Sequence, residues 1–247
     1  MTAGRSRGLL VSVEGIDGSG KSELAASLAA RLAEEHRDAL LLDRHTATAG
    51  LSGYLADHLA GLRRLIWEYP PGAVTSDLGF HHWTGLIGAW FHGLDHLVVR
   101  PALDAGRPVV ADSWFYKFTA RFALTAGHSD AGEPFVGVSV PDLVIWLDVP
   151  PETCADRRPD ARATERGEWQ GLADEPDAFT TYQHRVRGAY RRLAAAHQWC
   201  RLGPMDLPEL TERARELVES RSEPIGAGRR PGPVRSRGEE NDGDDRA

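Results

Sequence analysis

An eight-residue segment near the start of the sequence has the residue types that bind the phosphate groups of a nucleotide. The pattern G-x-x-x-x-G-K-[ST] is matched at every fixed position by Gly15-Ile16-Asp17-Gly18-Ser19-Gly20-Lys21-Ser22. In such a loop, backbone N–H groups approach the β-phosphate, the lysine bridges β- and γ-phosphate oxygens, and the serine ligates Mg²⁺. We therefore expect these eight residues to bind ATP, Lys21 to be catalytic and Ser22 to be a metal ligand. The alternative, a fortuitous glycine-rich turn, is less consistent with the apolar run before the loop and the helical pattern after it.

A phosphoryl-transfer site of this kind also needs a carboxylate near the metal, at the carboxyl end of a neighbouring strand. Asp112 follows an apolar run and is the first candidate, both as a catalytic residue and as a metal ligand. Asp148 follows another apolar run and is the rival. Trp114 belongs to an aromatic cluster directly after Asp112, which could form a wall of the acceptor pocket. Either aspartate could instead be a helix N-cap or a turn residue.

The sequence has a cluster of arginines well beyond the phosphate loop. Four of them fall within ten positions: Arg157, Arg158, Arg162 and Arg166. A mobile arginine can neutralise the charge that spreads over the γ-phosphate during transfer. We therefore expect a lid over about 157–172, with the first three arginines as catalytic residues. Because residues 159–171 are charged and lack an apolar period, they predict an exposed loop or a poorly anchored helix; a solvated charged loop is the alternative.

The elements that must position these residues follow from the apolar pattern. Five short apolar runs predict buried strands: 9–13, 39–42, 108–111, 143–147 and 199–202. Helical spacing follows the phosphate loop and recurs before Pro101, in 179–193 and in 207–218. The expected fold class is α/β, a P-loop kinase with a parallel five-stranded sheet, helices on both faces and the arginine-rich lid.

Composition limits the class of protein. A chain of 247 residues, 41% of them hydrophobic, suits one α/β domain. The net charge of −7 disfavours a nucleic acid polymer as partner. Two cysteines are too few for a disulfide scaffold and indicate a reduced, cytoplasmic setting. The first apolar run is too short for a secretory signal or a membrane span, so we expect no membrane association.

The ends of the chain differ in composition from its middle. We expect a flexible N-terminus over residues 1–8 and the kinase domain over 9–220. Residues 221–247 contain glycine, proline, arginine and acidic residues with almost no core-forming residues. This composition predicts a disordered charged tail.

Taken together, these segments resemble the thymidylate kinase family over roughly residues 8–220. The matching stretches are VEGIDGSGKS at 13–22, RPALDAG at 100–106, LDVPPET at 147–153 and the helical segment 182–193. The basic residues lie in the lid and not in the phosphate loop, which is similar to the bacterial arrangement.

The resemblance implies ATP and Mg²⁺ on the donor side and a nucleoside monophosphate, usually dTMP, as the acceptor. It implies that Asp17 faces the acceptor, that Asp112 is the acid of an Asp-Arg-aromatic motif and that Arg44 ends the second strand. A homodimer is also expected from the resemblance.

The chain departs from the family pattern on the acceptor side. Ser113 stands where the family has a phosphate-binding arginine, Phe91 where it has an arginine that holds the base, and Ile87 where it has a pocket aromatic. Either Arg44, Lys117 or Arg121 supplies the missing charge, or the acceptor is not dTMP. The residues expected to bind the acceptor are Asp17, Arg44, Phe91, Trp114 and Lys117.

Three functions remain open at this point. The first is a nucleoside monophosphate kinase that converts dTMP to dTDP. The second is a P-loop kinase that phosphorylates a nucleoside or a specialised metabolite, which the acceptor-side substitutions motivate. The third is an ATP-binding regulatory protein with little transferase activity. A small-molecule nucleotide substrate is the expected partner in the first case.

Overall fold

The computed structural model of the chain describes four stretches: 7–35, 38–70, 72–125 and 132–222. Most of the N-terminal segment predicted to be flexible, and all but two residues of the tail predicted to be disordered, lie outside the described residues.

The described residues include a five-stranded sheet with the strand order β2-β3-β1-β4-β5. The strands are β1 (Leu10–Gly15), β2 (Leu40–Leu42), β3 (Val109–Asp112), β4 (Leu143–Leu147) and β5 (Cys200–Leu202). Every pairing is parallel. The middle strands β1 and β4 are wholly buried, as expected for a parallel sheet with helices on both faces. The predicted α/β fold is therefore confirmed, and the strand ends agree within two residues.

The strand register brings the chemistry to one edge of the sheet. Val13 of β1 pairs with Asp112 of β3, and Gly15 at the end of β1 pairs with Leu147 of β4. The carboxyl ends of these three strands therefore lie side by side. In open α/β sheets, ligands bind in the crevice outside these ends.

Helices join the strands and cover the sheet. Their bounds are α1 (Lys21–Glu34), α2 (Gly53–Trp67), α3 (Phe80–Leu94), α4 (Arg100–Asp104), α5 (Tyr116–Phe122), α6 (Pro151–Ala155), α7 (Ala178–His197) and α8 (Leu207–Ser222). A π-helical stretch, Asp95–Val99, joins α3 to α4. The four predicted helical segments are confirmed, whereas α2, α5 and α6 were not predicted. No helix of the described stretches is long and apolar enough to cross a membrane.

Two apolar clusters form the core. One includes the buried face of α1, which repeats every four residues through Leu24, Leu28 and Leu32. The other is rich in aromatic residues, among them Trp90 and Trp114, which are almost fully buried. The aromatic cluster reaches the edge where β3 ends, so it contributes walls to the cavities described below.

The lid segment is better anchored than its sequence indicates. It contains two short 3₁₀ turns, Ala163–Glu165 and Glu168–Gln170. Trp169 packs against the aromatic cluster, and its Nε1 donates a hydrogen bond of 2.9 Å to Thr75 Oγ1. The sequence shows no apolar period here because a single large aromatic residue and side-chain hydrogen bonds hold the segment.

Candidate active site

The phosphate loop forms a tight turn between β1 and α1. Gly18 and Gly20 have φ values of 81° and 91°, in the left-handed region that favours glycine. A Cβ atom at Gly15 would lie 2.5 Å from Ser19 Oγ, and one at Gly18 would lie 2.9 Å from the Cys154 carbonyl oxygen. These glycines therefore meet both the conformational and the steric demands of the loop.

Lys21 and Ser22 stand at the first turn of α1, directly behind the loop. The ammonium of Lys21 donates a hydrogen bond of 3.1 Å to the Ile16 carbonyl and lies 3.7 Å from Asp17 Oδ1. Its side chain is mostly buried, whereas Ser22 is exposed to the cleft. The ammonium of Lys21 therefore lies over the phosphate loop, and a backbone carbonyl of that loop is its hydrogen-bond partner.

The two candidate aspartates have different surroundings. Asp112 ends β3 and lines the same cleft as Ser22, and its Oδ1 is buried with no hydrogen-bond partner. Asp148 is 2% exposed and forms ion pairs of 2.5 Å with Arg187 and Arg201. Asp148 is thus engaged in linking β4, α7 and β5, whereas Asp112 lines the cleft and keeps one carboxylate oxygen without a partner among the described residues.

Two adjoining cavities open beside the phosphate loop. The larger one, which we call the phosphate cleft, has a volume of about 550 Å³ and extends from Lys21 and Ser22 to Asp112. The smaller one, which we call the aromatic pocket, has a volume of about 100 Å³ and is lined by Trp83 and Trp169. Six residues line both cavities: Arg44, Trp67, Lys117, Phe118, Arg162 and Glu165.

Asp17 is surrounded by three cations where the two cavities meet. Its Oδ1 lies 2.9 Å from Lys117 Nζ and 3.7 Å from Lys21 Nζ, and its Oδ2 pairs with Arg121. Gln183 Nε2 also donates to Oδ2, at 3.2 Å. Three positive charges around one carboxylate leave an excess of two. The three cations are largely but not wholly buried, with side-chain exposures of 10% for Lys21, 24% for Lys117 and 15% for Arg121.

Burial and charge act in opposite directions on this cluster. Burial raises the pKa of Asp17, but Arg121, Lys117 and Lys21 together lower it well below its usual value. Burial lowers the pKa of Lys117, and the neighbouring Arg121 and Lys21 lower it further against the opposing effect of Asp17. Asp17 is therefore ionised, and Lys117 holds its proton less firmly than an exposed lysine.

The other residues expected at the acceptor lie around the phosphate cleft. Arg44 is exposed at the rim of both cavities, with its Nε 3.0 Å from His45 Nε2. Phe91 and Trp114 pack edge to face, with ring centroids 5.0 Å apart, and both are almost fully buried. The structure thus places Phe91 against the phosphate cleft, while Ile87 one turn earlier lines the aromatic pocket.

The predicted lid arginines reach different parts of the cavities. Arg157 Nη1 donates a hydrogen bond of 3.3 Å to the Gly18 carbonyl of the phosphate loop. Arg158 lines the phosphate cleft and pairs with Glu165 at 2.6 Å. Arg162 Nη1 donates a hydrogen bond of 2.8 Å to the Trp67 carbonyl, and the residue lines both cavities. One lid segment therefore brings positive charge to the loop, the cleft and the pocket.

Glu14 is a fully buried acid directly before the phosphate loop. It accepts hydrogen bonds from Ser12 Oγ at 2.7 Å, from the Trp114 backbone N–H at 2.8 Å and from Tyr190 Oη at 3.1 Å. Burial raises its pKa to about 7, and these hydrogen bonds only partly oppose the rise. Glu14 ties the end of β1 to β3 and α7.

The raised pKa of Glu14 predicts that the fold becomes less stable as pH rises from about 5 to about 7. The folded chain keeps this proton up to about pH 7, whereas an unfolded glutamate loses it near 4.5. In this window the folded state binds more protons, so the free energy of unfolding falls, in total by on the order of 3 kcal/mol. Thermal melts of wild type and Glu14→Gln at pH 5, 6, 7 and 8 measure this effect.

The Glu14→Gln variant is expected to show a markedly weaker decline in melting temperature. Glu34→Gln, at an exposed position on α1, is the matched control and is expected to follow wild type. An unchanged decline in Glu14→Gln would show that other groups cause the pH dependence.

Arg121 was considered from the sequence only as one possible source of the missing charge, and the structure places it one helical turn after Lys117 on α5. Other residues of the site were not among those expected. Gln183, Trp169 and Gln170 come from distant segments, and their residue types carry no signal for a phosphate site. Only the folded chain brings them to Asp17 and to the aromatic pocket.

Comparison with known proteins gives a consistent result. No protein-family model matches the chain. It is 32% identical over 203 residues to "Thymidylate kinase" of Pseudomonas putida, covering 76% of this chain and 86% of that protein. It is 30% identical to "Probable thymidylate kinase" of Natronomonas pharaonis, covering 76% and 84%, and 32% identical to "Thymidylate kinase" of Dinoroseobacter shibae, covering 61% and 69%.

Proposed function

The chain belongs to the thymidylate kinase family, and on this premise we propose that it transfers the terminal phosphoryl group of ATP to a nucleoside monophosphate, with dTMP as the preferred acceptor. The donor side rests on the phosphate loop and the residues at its edge of the sheet. The acceptor side rests on the cations around Asp17 and on the aromatic pocket beside them.

One observation carries the choice of acceptor class. Lys21, Lys117 and Arg121 surround the carboxylate of Asp17. Glu165 also acts on Arg121 but is itself paired with Arg158, so the described residues of this cluster keep an excess of positive charge. Buried charge is costly unless it is paired, and a neutral acceptor would leave this cluster unpaired. A monophosphate dianion, together with the phosphates of ATP, supplies the missing negative charge.

The residues present fit a nucleotide with Mg²⁺. Gly18 and Gly20 have the left-handed backbone that such a loop requires, and Asp112, whose Oδ1 has no hydrogen-bond partner among the described residues, lines the cleft that Ser22 also lines. Ser22 and Asp112 would hold the metal, and the eight residues from Gly15 to Ser22 would hold the phosphates. Bound Mg²⁺ neutralises phosphate charge and orients the transferred group.

Each proposed catalytic residue has a separate task. Lys21 binds the β- and γ-phosphate oxygens and follows the charge that moves during transfer. Arg157, Arg158 and Arg162 bring positive charge from the lid and help to exclude water. Asp112, together with Ser22, would hold the metal at the edge of the sheet where β3 ends. The kinase domain, proposed over residues 9–220 with the lid at about 157–172, contains all of these groups.

The proposed acceptor site divides between the two cavities. Lys117 and Arg44 line both and would hold the acceptor phosphate near the transferred group, with Asp17 orienting Lys117. Phe91 and Trp114 form the apolar wall of the phosphate cleft. The base would enter the aromatic pocket, where no charged partner is needed for a planar ring.

An acceptor screen tests this proposal. With ATP and Mg²⁺, we expect kcat/KM for dTMP to exceed that for thymidine by at least about 10³-fold, because removing the phosphate leaves the cations unpaired. The screen compares dTMP, dUMP, dCMP, dAMP and thymidine by coupled detection of ADP. Preferential transfer to thymidine or to another neutral hydroxyl compound would support the second function considered above. Tight ATP binding without transfer to any acceptor would support a regulatory role.

We further propose that the protein works in the cytoplasm as a homodimer, without a nucleic acid polymer or a membrane as partner. The net charge of −7 supports the exclusion of nucleic acid. On α2, the side chains of Tyr54, Leu55 and Leu65 are exposed, which supports a face that a second copy could cover. Sedimentation at micromolar concentration tests the dimer, and a purely monomeric boundary would contradict it.

A further inference from the structure

The aromatic pocket is built jointly by helices of the domain and by the lid. Trp83 and Ile87 come from α3 and Phe122 from α5, whereas Trp169 and Gln170 come from the lid. The ring of Trp169 lies almost parallel to that of Phe122, with centroids 6.4 Å apart, and is tilted against Trp83 at 6.1 Å. A planar group that enters this pocket therefore contacts the lid directly.

Hydrogen bonds to two neighbouring residues, Thr75 and Ser76, fix the lid turn Glu168–Gln170. Thr75 Oγ1 donates to Glu168 Oε1 at 3.0 Å and accepts a hydrogen bond from Trp169 Nε1 at 2.9 Å. The Ser76 backbone N–H adds a third bond, also 3.0 Å, to Glu168 Oε1. Because Thr75 is itself buried, these bonds are shielded from water and hold the turn in register with the pocket.

Gln170 is left with an unused hydrogen-bonding group at the pocket wall. Its Nε2 lies 3.5 Å from Thr125 Oγ1, at the limit of a hydrogen bond. Its Oε1 is buried and has no partner within the described part of the chain. The neighbouring hydroxyls already have partners, since Thr75 bonds the lid and Thr164 bonds Tyr69 at 3.2 Å. A buried amide oxygen without a donor is costly, so the pocket lacks one donor.

We propose that Gln170 determines acceptor specificity, because its Oε1 accepts a hydrogen bond from a ring N–H of the acceptor base. This inference rests on the proposed function and refines it. The base it selects carries an imide edge, a ring N–H beside carbonyl groups, as in thymine and uracil. Nε2 carries two N–H groups, so one of them remains to donate to the adjacent carbonyl, and the amide matches the N–H and C=O groups of such an edge.

The position of Gln170 links reading of the base to closure of the site. The same lid carries Arg157, which contacts the phosphate loop, and Arg158, which lines the phosphate cleft. A base that satisfies Gln170 stabilises the lid turn and so favours the arrangement in which these arginines face the phosphates. An acceptor without the ring N–H gives up both the hydrogen bond and part of this closure.

A double-mutant-type cycle, which combines a substitution at Gln170 with a methyl group on the ring N–H of the ligand, tests the proposal. The dissociation constants of dTMP and of N3-methyl-dTMP are measured by titration calorimetry with wild type, Gln170→Leu and Gln170→Glu. Wild type is expected to prefer dTMP by about 30-fold or more, since a buried acceptor otherwise stays unpaired. In Gln170→Leu the preference is expected to fall below about threefold, whereas Gln170→Glu, which keeps an acceptor oxygen, retains a preference above it.

The control is Glu175→Gln, at an exposed position just after the lid, which is expected to bind like wild type. The ATP dissociation constant is expected to be the same in all variants. An undiminished preference in Gln170→Leu, or tighter binding of dCMP than of dTMP by wild type, would overturn the assignment. Because binding is measured without turnover, absence of transfer would count against the proposed function alone and leave this test valid.

Discussion

Replacing Lys21 with alanine is expected to lower kcat for phosphoryl transfer by at least about 10³-fold, the scale on which removal of a transition-state cation acts in phosphoryl transfer. The ammonium lies over the loop, 3.1 Å from the Ile16 carbonyl, where it can reach both bridging and transferred oxygens. No other lysine lies in the loop, and Lys117 is held by Asp17 on the acceptor side.

The loss is expected without a loss of folding. In Lys21→Ala, Asp17 still pairs with Lys117 and Arg121, and the excess positive charge of the cluster falls from two to one. The melting temperature should therefore stay within a few degrees of wild type or rise. Single-turnover transfer and thermal melts together measure both effects.

Arg31→Ala is the matched control, because it removes an exposed cation from the same helix. It is expected to leave kcat within about twofold of wild type. Residual transfer by Lys21→Ala above a few per cent would mean that another group stabilises the transferred phosphoryl, and the assignment of Lys21 would fail.

The donor half of the site was largely predictable because its chemistry is contiguous in sequence. Gly15, Lys21 and Ser22 fall in one turn between a strand and a helix, so pattern and position coincide. Parallel strands also place Asp112 at the same edge as the loop, since Val13 pairs with Asp112. The sequence alone could not decide whether Asp112 or Asp148 is the carboxylate near the metal. The two arginines that form ion pairs with Asp148 come from α7 and β5, which are distant in sequence.

The acceptor half was less predictable because it is assembled from distant segments. Helix α5 is short and follows aromatic residues that are compatible with either a strand or a helix. The sequence therefore did not predict which of its side chains share a face. One face of α5 brings Lys117 and Arg121 to Asp17. The missing arginine at Ser113 was evident from the sequence, but the structure was needed to see that these two cations lie together instead.

Residues with no local signal complete the site. The lid sequence is polar and irregular, yet Trp169 anchors it by packing and Gln170 lines the pocket. In the sequence, Glu14 is one residue of the stretch that resembles the family's opening strand and loop. Its burial, which only the fold reveals, raises its pKa to about 7. Such properties depend on surroundings and not on residue type, which is why they could not be derived from the sequence.

Replacing Arg121 with leucine is expected to lower kcat/KM for dTMP by about 10²- to 10³-fold, because truncating one partner of a buried charged pair with a ligand costs several kcal/mol. Arg121 lines the aromatic pocket beside Lys117, with its side chain largely buried and its Nε unpartnered. Lys117→Met is expected to have a similar effect, since Lys117 lines both cavities. The test is which substrate the variants bind more weakly. KM for dTMP should rise, while KM for ATP should change by less than about threefold.

Three comparisons make this prediction specific. Arg192→Leu removes an exposed arginine from α7 and is expected to behave like wild type. Binding of thymidine, which has no phosphate, is expected to be nearly the same in wild type and both variants, so the loss must vanish with the acceptor phosphate. Folding should persist, because each variant still leaves Asp17 with two cations. If the variants instead raised KM for ATP, or weakened thymidine and dTMP equally, the cations would serve the donor or the fold, and the charge excess around Asp17 would no longer indicate an anionic acceptor.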